Sequence, residues 1–236
     1  MSKISRIYDL MQEQNADQLL ICDEFSIFYL TGKFFDSGER LLALYIDAEN
    51  KKPKLVVNRS CDIDFEDDLE LDNLDYIIYS TDDQVLEILP EIIRDGKVLV
   101  DKNFPAGFLL PLISQTHKNY FVSNILEYAR LIKTDKEINL MREISQITDK
   151  ILLKLTENLH DNITELECVD ILNKIKKDFD LDKFSFEPII GFGKNAAEPH
   201  HIPNNTKLKP GDCVVIDVGF IKNNYCSDMT RTVFYK

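Results

Sequence analysis

The sequence has 236 residues, 44% of them hydrophobic and 29% charged, enough apolar material to bury a core. That length admits one large domain or two ordinary ones. The formal charge of −13 comes from 23 acidic and 12 basic side chains in residues 1–125, against 18 and 16 in residues 126–236. An acidic chain without a basic stripe argues against nucleic-acid binding, because phosphate neutralisation supplies most of that affinity. No run approaches 18 uninterrupted apolar residues, which argues against a membrane span.

The first twenty residues, MSKISRIYDLMQEQNADQLL, combine helical periodicity with acidic side chains, unlike a signal peptide. Ile4, Tyr8 and Met11 make a helical stripe, and Gln18 to Cys22 reads as a buried strand. Leu41 to Ile46, Leu55 to Val57 and Tyr76 to Tyr79 read as extended; a helix over Asp82 to Ile93 and a strand over Lys97 to Val100 follow. This alternation predicts an α/β layer with helices packed on a sheet. The densest acidic run, Cys61 to Asp75, holds eight Asp or Glu residues. It reads as a solvated loop and helix face, with a cation or partner site as the alternative. The five cysteines, Cys22, Cys61, Cys168, Cys213 and Cys226, are widely spaced and form no C-x-x-C, which fits free thiols in a cytoplasmic protein.

The pattern changes between Asn124 and Thr134, and the domain boundary is placed there, with domains over 1–125 and 126–236. Thr134-Asp-Lys-Glu137 is a capping box. Behind it Ile138, Met141, Ile144, Ile147, Ile151 and Leu155 recur at three- and four-residue steps, predicting a long helix with a core-facing stripe. A second box, Thr164-Glu-Leu-Glu167, predicts a helix running to about Asp178.

Gly211 to Phe234 carries the chemistry. Two β-rich runs flank Ile221-Lys-Asn-Asn224, a hairpin pattern. A turn at Lys222-Asn223 sets Asp217 directly opposite Asp228, on one face of the pair. Facing carboxylates repel, and burying either unpaired is costly. A pair of divalent cations would offset that cost, with a carboxylate able to bridge them; two exposed aspartates on an edge hairpin are the alternative. Val215 and Gly219 share the Asp217 face while Val214, Ile216, Val218 and Phe220 fill the other, and a strand apolar on both faces is usually interior. Upstream, Gly193 to Pro203 holds His200 and His201 between two prolines. Imidazole suits metal ligation and proton transfer near neutral pH, but adjacent histidines on an extended segment face opposite ways, so at most one enters a given site. A plain surface loop is the other reading of that pair.

Together these segments resemble a known family. FEPIIGFGKNAAEPHH, then VIDVGF and SDMTRTV, look like the metal-site half of the pita-bread (M24-type) metallopeptidases, and most like the Xaa-Pro branch of aminopeptidase P and Xaa-Pro dipeptidase, or prolidase. Phe25 to Gly32, FSIFYLTG, resembles the helix-and-turn of a creatinase-like N-terminal domain, and Ala129 to Ile138 the entry to its catalytic domain. The resemblance covers essentially the whole chain in order. It implies a creatinase-like α/β domain followed by the first half of a pita-bread α+β domain. It implies hydrolysis of N-terminal Xaa-Pro bonds by two divalent ions, manganese or cobalt, that activate a bridging water, with proline-containing peptides as substrates and a homodimer or oligomer as the working state.

Residue by residue, Asp217 and Asp228 match the first two metal-ligating carboxylates. His200 matches the histidine that contacts substrate and steadies the tetrahedral intermediate. Thr230 matches a threonine that hydrogen-bonds beside the second ligand. The family's other ligands, one His and two Glu, lie on later strands, whereas the last Glu here is Glu198 and the last His is His201. The chain is therefore expected to carry two of five ligands and to be inactive alone. The alternatives are a non-catalytic pita-bread binding or dimerisation fragment and a creatinase-like amidinohydrolase. Survival of both carboxylates counts against the latter, which uses no metal.

Overall fold

Successive side chains on a strand point to opposite sides, so an inner strand covered on both faces is buried at every position. β1 (Gln18–Ile21) and β2 (Ala43–Asp47) are both of this kind. The computed structural model describes residues 2–61, 69, 71–181 and 183–236. Most of the acidic run, residues 62–68 and 70, lies outside the described residues. The chain divides into two units, Met1–Ile132 and Lys133–Lys236.

The first unit adds α1 (Lys3–Glu13), α2 (Glu24–Thr31), β3 (Lys54–Asn58), β4 (Asp75–Tyr79), α3 (Asp82–Ile92), β5 (Lys97–Asp101), α4 (Ala106–Thr116), β6 (Asn119–Ser123) and α5 (Ile125–Leu131). Its sheet runs β4-β3-β2-β1-β5-β6. The β1–β5, β5–β6 and β3–β4 pairs are parallel; β1–β2 and β2–β3 are antiparallel. Leu19, Ile21, Leu44, Ile46 and Leu99 pack with Ile7 and Met11 of α1, Ile27 of α2 and Ala129 of α5. Leu20, Tyr45, Val56, Val98 and Val100 face the other way, against Val85 and Leu89 of α3 and Leu112 of α4. The result is a helix–sheet–helix sandwich. The division after Ile132 lies within the Asn124–Thr134 stretch where the sequence pattern changes, and α5 packs with the first core. Leu126 and Ala129 are buried there, and the Tyr29 hydroxyl donates to the Ala129 carbonyl at 3.3 Å.

Asp47 is buried in this unit against a partly exposed partner. Asp47 is 3% exposed, and Arg94 donates to it through Nε at 2.7 Å and Nη2 at 2.8 Å. Burial alone would raise the Asp47 pKa; the Arg94 fork, with Asn50 and the amides of Glu49 and Asn50, outweighs burial and lowers it. A depressed carboxylate pKa stabilises the fold above the unfolded value near 3.9, and the gain is lost as pH falls through the folded pKa. Arg94→Met is expected to cost about 2 kcal/mol at pH 7, below the usual ~3–5 kcal/mol for breaking a buried pair because Arg94 itself is 35% exposed. Urea denaturation at pH 7 and pH 3 checks it: the difference from wild type should shrink at the lower pH, where Asp47 approaches neutrality.

In the second unit, α6 (Asp135–Glu157) and α7 (Glu165–Asp178) begin at the two capping boxes, with Thr134 and Thr164 each accepting from the amide three residues on. They cover one face of an antiparallel sheet, β11-β8-β7, made of β7 (Ile189–Phe192), β8 (Cys213–Val218) and β11 (Met229–Phe234). β9 (Ile221–Lys222) and β10 (Tyr225–Cys226) form the hairpin tip between β8 and β11. Ile144, Ile151 and Leu155 of α6 and Cys168 and Leu172 of α7 meet Ile190, Val214, Ile216, Val218 and Phe220. The α6 stripe is core-facing only from Ile144 onward; Met141 is 39% exposed. Its first turn instead buries Glu137, which receives the Tyr225 hydroxyl at 3.0 Å.

Candidate active site

The hairpin reverses direction at Asn223-Asn224, with φ of 49° and 63°. Two central residues in the left-handed region make a type I′ turn, whose backbone twist matches that of the strands it joins. Asparagine tolerates that conformation and lysine does so poorly, which is why the turn is not at Lys222-Asn223. The register therefore moves by two residues: Asp217 pairs with Thr230, not with Asp228. Asp228 itself lies in the break between β10 and β11, just before Met229, which pairs with Val218 at the end of the β8–β11 ladder. A slip of two preserves side-chain parity along the paired residues.

Thr230 donates its hydroxyl to Asp217 Oδ1 at 2.7 Å, which fixes that carboxylate's orientation. Beneath the pair, the Thr148 hydroxyl of α6 meets the Ser227 hydroxyl at 2.6 Å. Ser227 Oγ in turn accepts from the Phe220 amide at 3.0 Å. These buried contacts pin the hairpin to the long helix just where the ladder breaks. β8 alternates as its periodicity requires: Val214, Ile216 and Val218 are buried, while Cys213, Val215 and Asp217 are half-buried. The Asp217 face is thus more open than the apolar sequence suggested, and Asp228 and Thr230 are exposed.

His200 and His201 occupy a turn rather than an extended segment, closed by the His201 amide donating to the Glu198 carbonyl at 3.2 Å. Their environments differ sharply. His200 is exposed, whereas His201 is 6% exposed with Nε2 2.8 Å from Glu165 Oε2. His201 is thereby committed to Glu165, a residue the sequence reading passed over. Glu165 sits inside the second capping box, and nothing local to the box distinguishes a buried first-turn glutamate from a solvated one.

Asp217 and Asp228 offer hard oxygen donors, the chemistry that suits a divalent cation. Among the described residues no three His, Cys, Asp or Glu side chains come together to hold a metal. Two carboxylates supply at most part of a coordination shell and do not by themselves fit a two-metal centre. The first unit has a cavity of about 370 Å³ lined by Asp23, Asp101, Lys102, Glu127 and Arg130, which includes none of these residues. The five cysteines are free, and among the described residues no helix is long and apolar enough to cross a membrane.

Comparison with known proteins adds the context. Residues 3–144 match the Creatinase/Prolidase N-terminal domain, and residues 139–236 match Metallopeptidase family M24. An uncharacterized peptidase of Staphylococcus aureus (strain MRSA252) is 30% identical over 240 aligned positions, covering 99% of this chain. The chain spans 66% of the length of that relative. Prolidase from Thermococcus sibiricus superimposes with a TM-score of 0.82 at 28% identity, over 99% of this chain and 66% of the other. Dipeptidase PepE from Mycobacterium ulcerans gives 0.84 at 22% identity, over 98% and 63%, a likeness of fold. The expected combination of a creatinase-like α/β domain and pita-bread structure is the fold of this chain. It belongs to the creatinase/prolidase N-terminal domain family, and its second unit continues into metallopeptidase family M24.

Proposed function

We propose that this chain serves the metal-dependent hydrolysis of N-terminal Xaa-Pro peptide bonds, as an Xaa-Pro dipeptidase or aminopeptidase P does. The observation that carries the reading is the hairpin: Asp217 oriented by Thr230, with Asp228 two residues before that threonine, inside the segment that matches the metallopeptidase family. Asp217 and Asp228 are the carboxylates that would hold a divalent ion, manganese or cobalt, and exposed His200 is the side chain that would meet substrate. Ligands that the described residues do not supply would complete the centre. We read the two units as separate domains, the assembly as a homodimer or oligomer, and the compartment as the cytoplasm, where free thiols persist.

The test is an Xaa-Pro dipeptide and tripeptide assay with added manganese or cobalt. It uses this chain continued through the His and Glu segments of a relative. Metal-dependent turnover that vanishes in Asp217→Ala is expected; turnover indifferent to that substitution would sink the reading. A preference for the dipeptide or the tripeptide separates dipeptidase from aminopeptidase. Thr230→Val keeps the shape but removes the hydroxyl, and in the same protein manganese affinity should fall by about tenfold or more, as when a ligand's orienting partner is lost. Electron paramagnetic resonance of free manganese reads that affinity directly, and an unchanged value would deny Thr230 the role.

A further inference from the structure

We infer that Glu165 and His201 are positioning residues for His200, an inference that rests on His200 as the substrate-facing histidine. Glu165 is the first residue of α7 and is 0% exposed. A carboxylate buried so completely needs donors on both oxygens, and it has four. Oε1 accepts from the Phe192 amide and from Asn195 Nδ2, both at 2.9 Å. Oε2 accepts from His201 Nε2 at 2.8 Å and from the Asn204 amide at 3.0 Å. The donors come from the end of β7, the short 3-10 turn after it, and both sides of the His-Ile-Pro segment. One carboxylate therefore gathers residues 192, 195, 201 and 204 onto the start of a helix, and His200 lies within that bracket. The helix N-terminus favours the negative charge.

His201 is the only ionisable donor of the four, which makes the bracket sensitive to pH. The groups facing its ring are Glu165 from α7, Glu198 from its own segment at 3.4 Å, and Asn204 Nδ2 at 3.5 Å. Burial lowers the His201 pKa, but the hydrogen bonds and charges of Glu165 and Glu198 outweigh it and raise the value above 6.5. The charged contact is thus complete below the ordinary histidine pKa and is lost as pH rises through the raised one. Neutral His201 can still donate Nε2–H to Glu165, so the bracket loosens at high pH and does not dissolve.

The test uses the whole chain with isotope-labelled histidines, read by NMR for the two rings and for amide exchange at Phe192 and Asn204. In wild type, Asn204 protection should fall about tenfold as His201 titrates, the scale of weakening a charge-assisted hydrogen bond. The His200 ring signal should broaden over the same range. In Glu165→Gln the step should be absent and His200 broad throughout; Glu165→Asp, which keeps the charge, should restore the step in part. If Glu165→Gln fails to fold, the wild-type profile decides alone, and a flat Asn204 profile while His201 titrates overturns the inference. A Glu165→Gln protein in which His200 and Asn204 behave as wild type overturns it too. So does one in which every amide of the second unit accelerates together, which would make Glu165 merely structural. None of these readouts needs turnover. In the extended chain Glu165→Gln should also lower kcat with KM little changed. Loss of His200 order beside an unchanged kcat would sink the role given to His200 and leave the positioning in place.

Discussion

Gly219→Ala is expected to destabilise the second unit by about 3 kcal/mol or more, at the upper end of what overpacking costs. A methyl group at this position would overlap the Ser227 carbonyl oxygen, the Ser185 hydroxyl and the edge of the Phe186 ring. The Ser185 hydroxyl could rotate away, although it would surrender its bond to the Ser227 carbonyl at 2.8 Å. The Ser227 carbonyl cannot move so easily. Its residue is tied to Phe220 by a backbone bond of 2.9 Å and to α6 through Thr148. On the other side, the Gly219 carbonyl receives the Ser185 amide at 2.9 Å, so the strand is clamped from both directions. Any relaxation must disturb the end of the β8–β11 ladder, where Val218 pairs with Met229. The control is Gly107→Ala: nothing lies within 4 Å of the added methyl, and a helical Gly→Ala change is neutral to favourable by about 1 kcal/mol. Chemical denaturation with probes in each unit checks both. A Gly219→Ala protein within 1 kcal/mol of wild type, with an unshifted hairpin, would show that the clamp yields.

The elements that the sequence made legible are those whose signals are local. Both capping boxes sit where Thr134 and Thr164 predicted them, because the motif places donor and acceptor within one turn. β1 and β5 were readable because each carries an unbroken apolar run, Leu19–Ile21 and Val98–Val100, as buried inner strands do. α4 and β6 were not: α4 contains Pro111, and β6 leaves Phe121 and Val122 half or more exposed, so neither carries a clean period. The hairpin register was missed although its signal was present, since Asn223-Asn224 is the one adjacent pair there that suits positive φ twice. The error was even, so it kept the parity of the paired residues, but it replaced Asp228 by Thr230 as the partner of Asp217. The Glu165–His201 pairing spans 36 residues and was not accessible from local pattern at all.

The 236-residue chain, assayed alone with manganese or cobalt, is expected to turn over Xaa-Pro substrates at least roughly 10³-fold more slowly than the chain continued through the family's remaining segments, given that general acid–base help alone is worth about 10²–10⁴-fold. Hydrolysis by a paired-ion centre needs both ions held at bridging distance and a group to manage the proton. Here Asp217 and Asp228 are the two carboxylates of the hairpin, and the sequence offers no Glu after Glu198 and no His after His201. Two oxygen ligands leave most of an ion's coordination to water, so it should exchange readily and bind weakly. The exposed position of Asp228 and Thr230 points the same way, because electrostatic attraction is weakest where water screens it. Thr230 orients one carboxylate but adds no charge. A single loosely bound ion is therefore the most this pair should hold, and manganese titration of wild type against Asp217→Ala measures it. Tight binding of two ions, or metal-dependent turnover by the short chain that disappears in Asp217→Ala, would overturn the expectation and require that a second copy of the chain supply the other ligands. Sedimentation of the active species would then show whether activity tracks the dimer.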